Sequence, residues 1–77
     1  MNTKEKVVSI LRNIKQTKDL TKVTDIVEGG YIDSYELMLL ISTLSDEFKI
    51  EIDVDDIIPE NFNSVDCIAK MVDRLKK

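Results

Sequence analysis

Apolar residues recur at helical spacing in three separate stretches of this chain, and no other feature constrains its fold as strongly. Within each stretch they fall at positions such as i, i+3, i+4 and i+7, which lie on one face of an α-helix. The three stripes are Val7, Ile10, Leu11 and Ile14; Leu37, Leu40, Ile41, Leu44 and Phe48; and Val65, Ile68, Met71, Val72 and Leu75. In a chain of 77 residues they predict one all-α domain over 1–77, a small helical bundle of three main helices plus one short helix.

Capping residues predict where these helices begin. Asn2 and Glu5 have the spacing of a capping box, in which each side chain bonds the backbone N–H of the other residue. Asp33 and Glu36 repeat that spacing before the second stripe. One of the two cap-type residues at 63–64 is expected to begin the last helix.

The segments between the stripes lack helical periodicity. Residues 18–32 contain the pair Gly29-Gly30 and predict a long loop, a feature that often carries function in a small domain. The second helix is expected to end near Lys49, because residues 50–54 alternate like a short extended segment. Residues 55–62 include a proline and leave room for a short helix only.

Charge is segregated along the chain. Residues 1–22 carry six bases and two acids, residues 23–66 one base and twelve acids, and residues 67–77 four bases and one acid. The acidic middle would repel a phosphate backbone, so we expect no nucleic-acid partner. It favours partner proteins with basic patches that dock fast and reversibly.

Several functions are disfavoured by what the sequence lacks. It has no histidine, which removes the commonest general base and most zinc sites, so we expect no catalytic residues and no metal site. Its one cysteine, Cys67, is expected to be a partly buried, inert thiol. The longest apolar run, Leu37–Ile41, is too short to cross a bilayer, and Met1–Glu5 has no apolar stretch like a secretory signal. We therefore expect a cytoplasmic monomer with no membrane insertion.

Ser34 stands directly after the Asp33 cap, at the first position of the second helix. Its hydroxyl is expected to be exposed beside unpaired backbone N–H groups, which favour an anion such as an attached phosphate. Spacing alone leaves two interpretations open, an attachment site or an ordinary pair of capping residues, and it favours the second.

The stretch Gly30–Ile41, with its Asp33-Ser34 pair, resembles the modification site of the acyl and peptidyl carrier proteins. The similarity continues through residues 46–56 and 60–65 and covers essentially the whole chain. The resemblance implies that a phosphopantetheinyl transferase moves 4′-phosphopantetheine from coenzyme A to Ser34, with Asp33 helping to position the transfer. The arm would then carry acyl or aminoacyl groups as thioesters.

The resemblance also implies further partners and a subtype. An acyl- or aminoacyl-activating ligase would load the arm, and a downstream acyltransferase or synthase would unload it. Tyr35 stands where the family most often has leucine, while Leu39 and Ser45 stand where fatty-acid carriers usually have acids. The missing acids weaken the resemblance to the fatty-acid branch. The two residues between Gly30 and Asp33, together with the uncharged Leu39, are more similar to the D-alanyl and other stand-alone aminoacyl carriers.

A second apolar stripe follows the start of the second helix on a face that the core does not need. It consists of Tyr35, Met38, Leu39 and Ser42, and one of Met38 and Leu39 is expected to extend the core. We predict a partner-binding surface formed by Tyr35, Glu36, Met38 and Leu39. Periodicity and charge support equally well a small helical adaptor that binds proteins with no prosthetic group.

Overall fold

A computed structural model describes residues 2–16 and 19–76 and contains the predicted helices. The helices are α1 (Thr3–Ile14), α2 (Ser34–Phe48), α3 (Pro59–Phe62) and α4 (Val65–Leu75), with a short 3₁₀ helix at Val54–Asp56. The prediction of an all-α bundle of three main helices plus one short helix is confirmed. Lys18, with which the predicted loop begins, lies outside the described residues.

Side-chain caps mark the beginnings of α1 and α4, as the sequence predicts. The N–H of Glu5 donates to Asn2 Oδ1 at 2.8 Å, and the N–H of Asn2 donates to Glu5 Oε1 at 3.1 Å. Ser64, one of the two predicted candidates, caps α4 by accepting the N–H of Cys67 at 3.1 Å. The end of α2 is also close to its predicted place, since the helix stops at Phe48 and Lys49 adopts a left-handed conformation with φ 55°.

The core draws on the three predicted stripes and on residues outside them. Its buried side chains are Val7, Ile10, Leu11, Leu20, Ile26, Ile32, Leu40, Ile41, Leu44, Phe62, Val65, Ile68, Met71 and Val72. Predicted core residues at helix ends, such as Phe48 and Leu75, pack against this cluster but are only partly buried. Leu20, Ile26 and Ile32 lie between α1 and α2, so this loop is part of the core.

The alternating segment 50–54 does not form a strand. Residues 50–53 have no regular structure, and Val54 begins the 3₁₀ helix after the Asp53 cap. A β-strand pairs its backbone groups with a neighbouring strand, and the described residues contain no strand with which this segment could pair. Ile50 and Ile52 instead pack against the core and are partly buried.

Two ion pairs show that α1 and α2 run in opposite directions. Lys6 Nζ lies 4.0 Å from Glu47 Oε2 near the end of α2, whereas Lys15 Nζ lies 3.3 Å from Glu36 Oε2 near its beginning. The last turn of α1 is therefore beside the first turn of α2.

Three helix ends meet at the opposite end of the bundle. The ammonium groups of Lys6 and Lys76 each lie 5.7 Å from the centre of the Phe48 ring. The Thr3 hydroxyl donates to Asp73 Oδ1 at 2.8 Å, which joins the start of α1 to the end of α4. Cations this close to a ring face are attracted by its quadrupole, so the contacts favour this convergence.

Candidate functional site at the start of helix α2

A reciprocal pair of hydrogen bonds holds the first turn of α2. Asp33 Oδ1 accepts the N–H of Glu36 at 2.8 Å, and Glu36 Oε1 accepts the N–H of Asp33 at 3.0 Å. The predicted capping box is confirmed. Because the cap fixes the first helical residue, it also fixes where the Ser34 side chain leaves the backbone.

Glu36 has a further intramolecular partner in Lys15, the C-cap residue of α1. Lys15 Nζ lies 3.3 Å from both oxygens of the Glu36 carboxylate. The Glu36 side chain is only 17% exposed. Its carboxylate thus caps α2 and ties α2 to α1, while a role in binding partners stays a prediction.

Ser34 is exposed at the first position of α2, as the sequence predicts. Its hydroxyl makes no hydrogen bond with any residue in the two described ranges, so it is available to a reagent. A small open cleft of about 270 Å³ adjoins it, lined by Val27, Ile32, Asp33, Ser34 and Leu37. The site combines an accessible hydroxyl with a mainly apolar recess.

The stripe beside Ser34 faces solvent. Tyr35 is 75% exposed, Met38 59% and Leu39 41%. The expectation that Met38 or Leu39 extends the core is wrong, because Leu40 and Ile41 already fill the core side of these turns. An apolar face of this kind on a small domain is typical of an interaction surface.

Two further apolar side chains are exposed away from α2, and sequence reasoning missed them. Val54, in the 3₁₀ helix, is 78% exposed, and Ile58, which precedes α3, is 42% exposed. The one signal at Val54 is an apolar residue next to a run of acids, which does not distinguish an exposed side chain from a packed one.

The loop before Ser34 is a tightly wound turn. The N–H of Gly29 donates to the Asp25 carbonyl, and a Cβ added at Gly29 would lie 2.7 Å from that oxygen. Gly30 has φ 75°, a conformation that L side chains rarely adopt. The N–H of Tyr31 closes the turn by donating to the Ile26 carbonyl at 3.0 Å. Both glycines are therefore required by the path of the chain towards α2.

Asn63 holds this turn from the junction between α3 and α4. Its Oδ1 accepts the N–H groups of Val27 and Glu28, each at 3.1 Å, and its Nδ2 donates to Glu28 Oε1 at 2.7 Å. Sequence reasoning treated Asn63 only as a candidate cap. Contacts between residues 35 or 36 positions apart leave no local pattern from which they could have been found.

The remaining sequence predictions concern sites elsewhere. Cys67 is partly buried in α4, as expected. Within residues 2–16 and 19–76, no group of three or more histidine, cysteine, aspartate or glutamate side chains is arranged to hold a metal ion. Among the helices of the same part of the chain, none has both the length and the apolar character needed to cross a membrane.

No protein-family model matches this chain. No curated protein matches it at a significant level.

Proposed function

We propose that this chain is a non-catalytic carrier protein whose Ser34 bears a 4′-phosphopantetheine arm. The terminal thiol of the arm would hold acyl or aminoacyl groups as thioesters. The observation that carries the proposal is the exposed hydroxyl of Ser34, which bonds to none of the described residues and directly follows the Asp33 cap, in a sequence that resembles the carrier family. The expected cofactor is covalent and comes from coenzyme A.

The loading reaction requires no catalytic group from the carrier itself. The Ser34 oxygen attacks the phosphorus next to pantetheine and forms a phosphoester bond, while the phosphoanhydride bond of coenzyme A breaks. The hydroxyl proton passes to a base on the transferase, and adenosine 3′,5′-bisphosphate leaves. This chain has to supply only an accessible oxygen in a fixed position, and the capping box of Asp33 and Glu36 supports that role.

The start of α2 suits the phosphodiester that would result. The N–H of Glu36 is taken by Asp33, but the N–H groups of Ser34 and Tyr35 have no acceptor within the helix. Such groups and the helix dipole stabilise a nearby anion. The adjoining cleft adds an apolar surface, formed by Val27, Ile32 and Leu37, next to the attachment point.

The exposed stripe of α2 supports docking of the enzymes that would load and unload the arm. Tyr35, Met38 and Leu39 offer an apolar contact of modest size next to Ser34. Weak, quickly released contacts suit a carrier that serves a transferase, an activating ligase and an acyltransferase or synthase in turn. The proposed carrier acts as a cytoplasmic monomer, with proteins and not nucleic acids as its partners.

Intact-protein mass spectrometry tests the proposal. The protein is incubated with coenzyme A, Mg²⁺ and a broad-specificity phosphopantetheinyl transferase, and the wild type is expected to gain one phosphopantetheine. Ser34→Ala should gain none. Ser9→Ala is the matched control, since it removes an exposed hydroxyl from α1, outside the docking stripe of α2, and should load fully. An unmodified wild type, or a loaded Ser34→Ala variant, would contradict the proposal.

The exposed stripe of α2 also supports a second candidate, an adaptor that binds proteins with no prosthetic group. This function needs the surface of Tyr35, Met38 and Leu39 but not the hydroxyl of Ser34. It predicts a wild type that stays unmodified in the same experiment. Partner capture would then be lost in Tyr35→Ser and kept in Ser34→Ala.

A further inference from the structure

Asn63 connects the junction of α3 and α4 to the loop before Ser34 through four hydrogen bonds. Its backbone carbonyl accepts the N–H of Ile26 at 2.8 Å. Its side chain accepts the N–H groups of Val27 and Glu28 and donates to the Glu28 carboxylate. We call these four contacts the Asn63 clamp. No other described side chain makes as many hydrogen bonds to this loop.

The chemistry of the clamp is specific to an amide side chain. The oxygen of Asn63 faces two N–H donors, and its nitrogen faces a carboxylate oxygen. A carboxylate at this position offers similar acceptor oxygens, but its repulsion from the nearby Glu28 carboxylate would move it away from the N–H groups of Val27 and Glu28. An alanine would leave both N–H groups without this acceptor.

The clamp acts on a wall of the cleft beside the proposed attachment site. Val27 lines that cleft together with Ser34 and Leu37. The neighbouring Ile26 is completely buried, so the held segment is anchored in the core on one side and by Asn63 on the other. Its position is consequently coupled to the junction of α3 and α4, which lies far from α2 in the sequence.

We propose that Asn63 is a positioning residue for Ser34. By holding Val27 and Glu28, it fixes the loop that leads into α2 and forms the cleft wall, and so presents the serine for loading. The effect on loading rests on the carrier function proposed above, whereas the clamp itself is a property of the fold that can be measured separately.

A charge-swap pair of variants tests the proposal. Asn63→Asp should weaken the clamp by carboxylate repulsion, and adding Glu28→Gln should restore it, because the glutamine amide can donate to the new carboxylate. Amide hydrogen exchange at Val27 and Glu28 is expected to rise about tenfold in Asn63→Asp, as for one lost hydrogen bond, and to return towards wild type in the double variant. Glu28→Gln alone should change little.

Loading kinetics supply the second measurement. Well below the melting temperature, kcat/KM for loading should fall several-fold in Asn63→Asp and recover in the double variant. Asn2→Ala is the matched control, because it loses the cap at the distant start of α1 and should lower stability without changing loading.

Each outcome decides one part of the proposal. Unchanged exchange at Val27 and Glu28 in Asn63→Asp would overturn the clamp. Faster exchange with unchanged loading, or equal loading losses in Asn63→Asp and Asn2→Ala, would overturn the positioning role. A wild type that accepts no phosphopantetheine would refute the carrier function. Hydrogen exchange at Val27 and Glu28 would still test whether the clamp exists.

Discussion

At the scale of single residues, Asp19 shows how one carboxylate orders the described loop after α1. Its Oδ1 accepts the Thr21 hydroxyl at 2.7 Å and the Thr21 N–H at 3.0 Å. These two hydrogen bonds lower the pKa of Asp19, and the bond from the hydroxyl has the larger effect. Desolvation raises this pKa, whereas the charges of Arg12 and Lys22 lower it further. Since the folded pKa lies below the unfolded one, the stabilisation is present above the unfolded pKa and is lost as pH falls through the folded pKa.

Removing the Thr21 hydroxyl should raise the pKa of Asp19. In Thr21→Val the strongest bond to the ionised carboxylate is gone, while the backbone N–H donor remains, so the pKa should return only partly towards its ordinary value. An NMR titration of the carboxyl carbons measures this. Thr24→Val, a change at an exposed threonine of the same loop, should leave the pKa of Asp19 unmoved. A Thr21→Val variant that titrates like wild type would refute the assignment.

At the scale of elements, the sequence predicts what local interactions determine. The start, cap and end of α2 follow from residues within a few positions of one another, and all three are confirmed. Of its predicted core stripe, Leu40, Ile41 and Leu44 are buried, and the two terminal members are partly buried. The exposure of Ser34 follows from the same cap. The position of a residue in a helix, and much of its surroundings, is set by neighbours three or four places away.

Elements that depend on distant contacts were not predicted. Leu20, Ile26 and Ile32 are buried although no period marks them, because the loop is held by tertiary contacts such as the Ile26–Asn63 hydrogen bond. The cleft beside Ser34 depends on the same loop. Its existence could not be inferred from the Asp33-Ser34 pair alone.

The N-cap of α2 should contribute measurably to stability. Asp33→Ala removes the acceptor for the Glu36 N–H and is expected to lower the free energy of unfolding by about 1 kcal/mol. For a domain of this size, that corresponds to a fall of roughly 4–8 °C in the melting temperature. Asp33→Asn keeps a capping oxygen and should lie close to wild type. Thermal unfolding followed by circular dichroism separates these cases, and equal losses in the two variants would show that charge, not capping, matters.

At the scale of the whole molecule, folding brings the segregated charges together. Lys4 pairs with Asp66 and Arg74 with Asp56, at 3.0 and 3.7 Å, so cations of α1 and α4 meet acids of the middle segment. The Lys4–Asp66 pair is exposed, and in the other pair Arg74 is exposed while Asp56 is half-buried. Surface ion pairs of this kind contribute little individually. The excess of acids in residues 23–66 therefore remains a source of repulsion.

Screening this repulsion should stabilise the fold. Starting from low ionic strength, we expect NaCl or millimolar divalent cations to raise the melting temperature of the wild type. Asp55→Asn should have a higher melting temperature than the wild type at low salt, and its melting temperature should respond less to added salt. The Asp55 side chain is exposed and has no ion-pair partner in the described residues, whereas Asp66→Asn removes the same charge but breaks the Lys4 pair. Differential scanning fluorimetry across a salt series tests this. A flat or falling melting temperature in the wild type would contradict the expectation.

The meeting of the first and last helices has a practical consequence. The Thr3 hydroxyl donates a hydrogen bond to Asp73, and Lys76 Nζ lies 3.3 Å from the same hydroxyl. Lys76 also lies beside Phe48, at the end of α2. Ser34 begins the same helix, about 20 Å away along its axis. A short peptide joining the start of α1 to the end of α4 should therefore permit circular permutation. Immobilising the protein through the start of α1 or the end of α4 would place the support at the end of α2 that is far from Ser34.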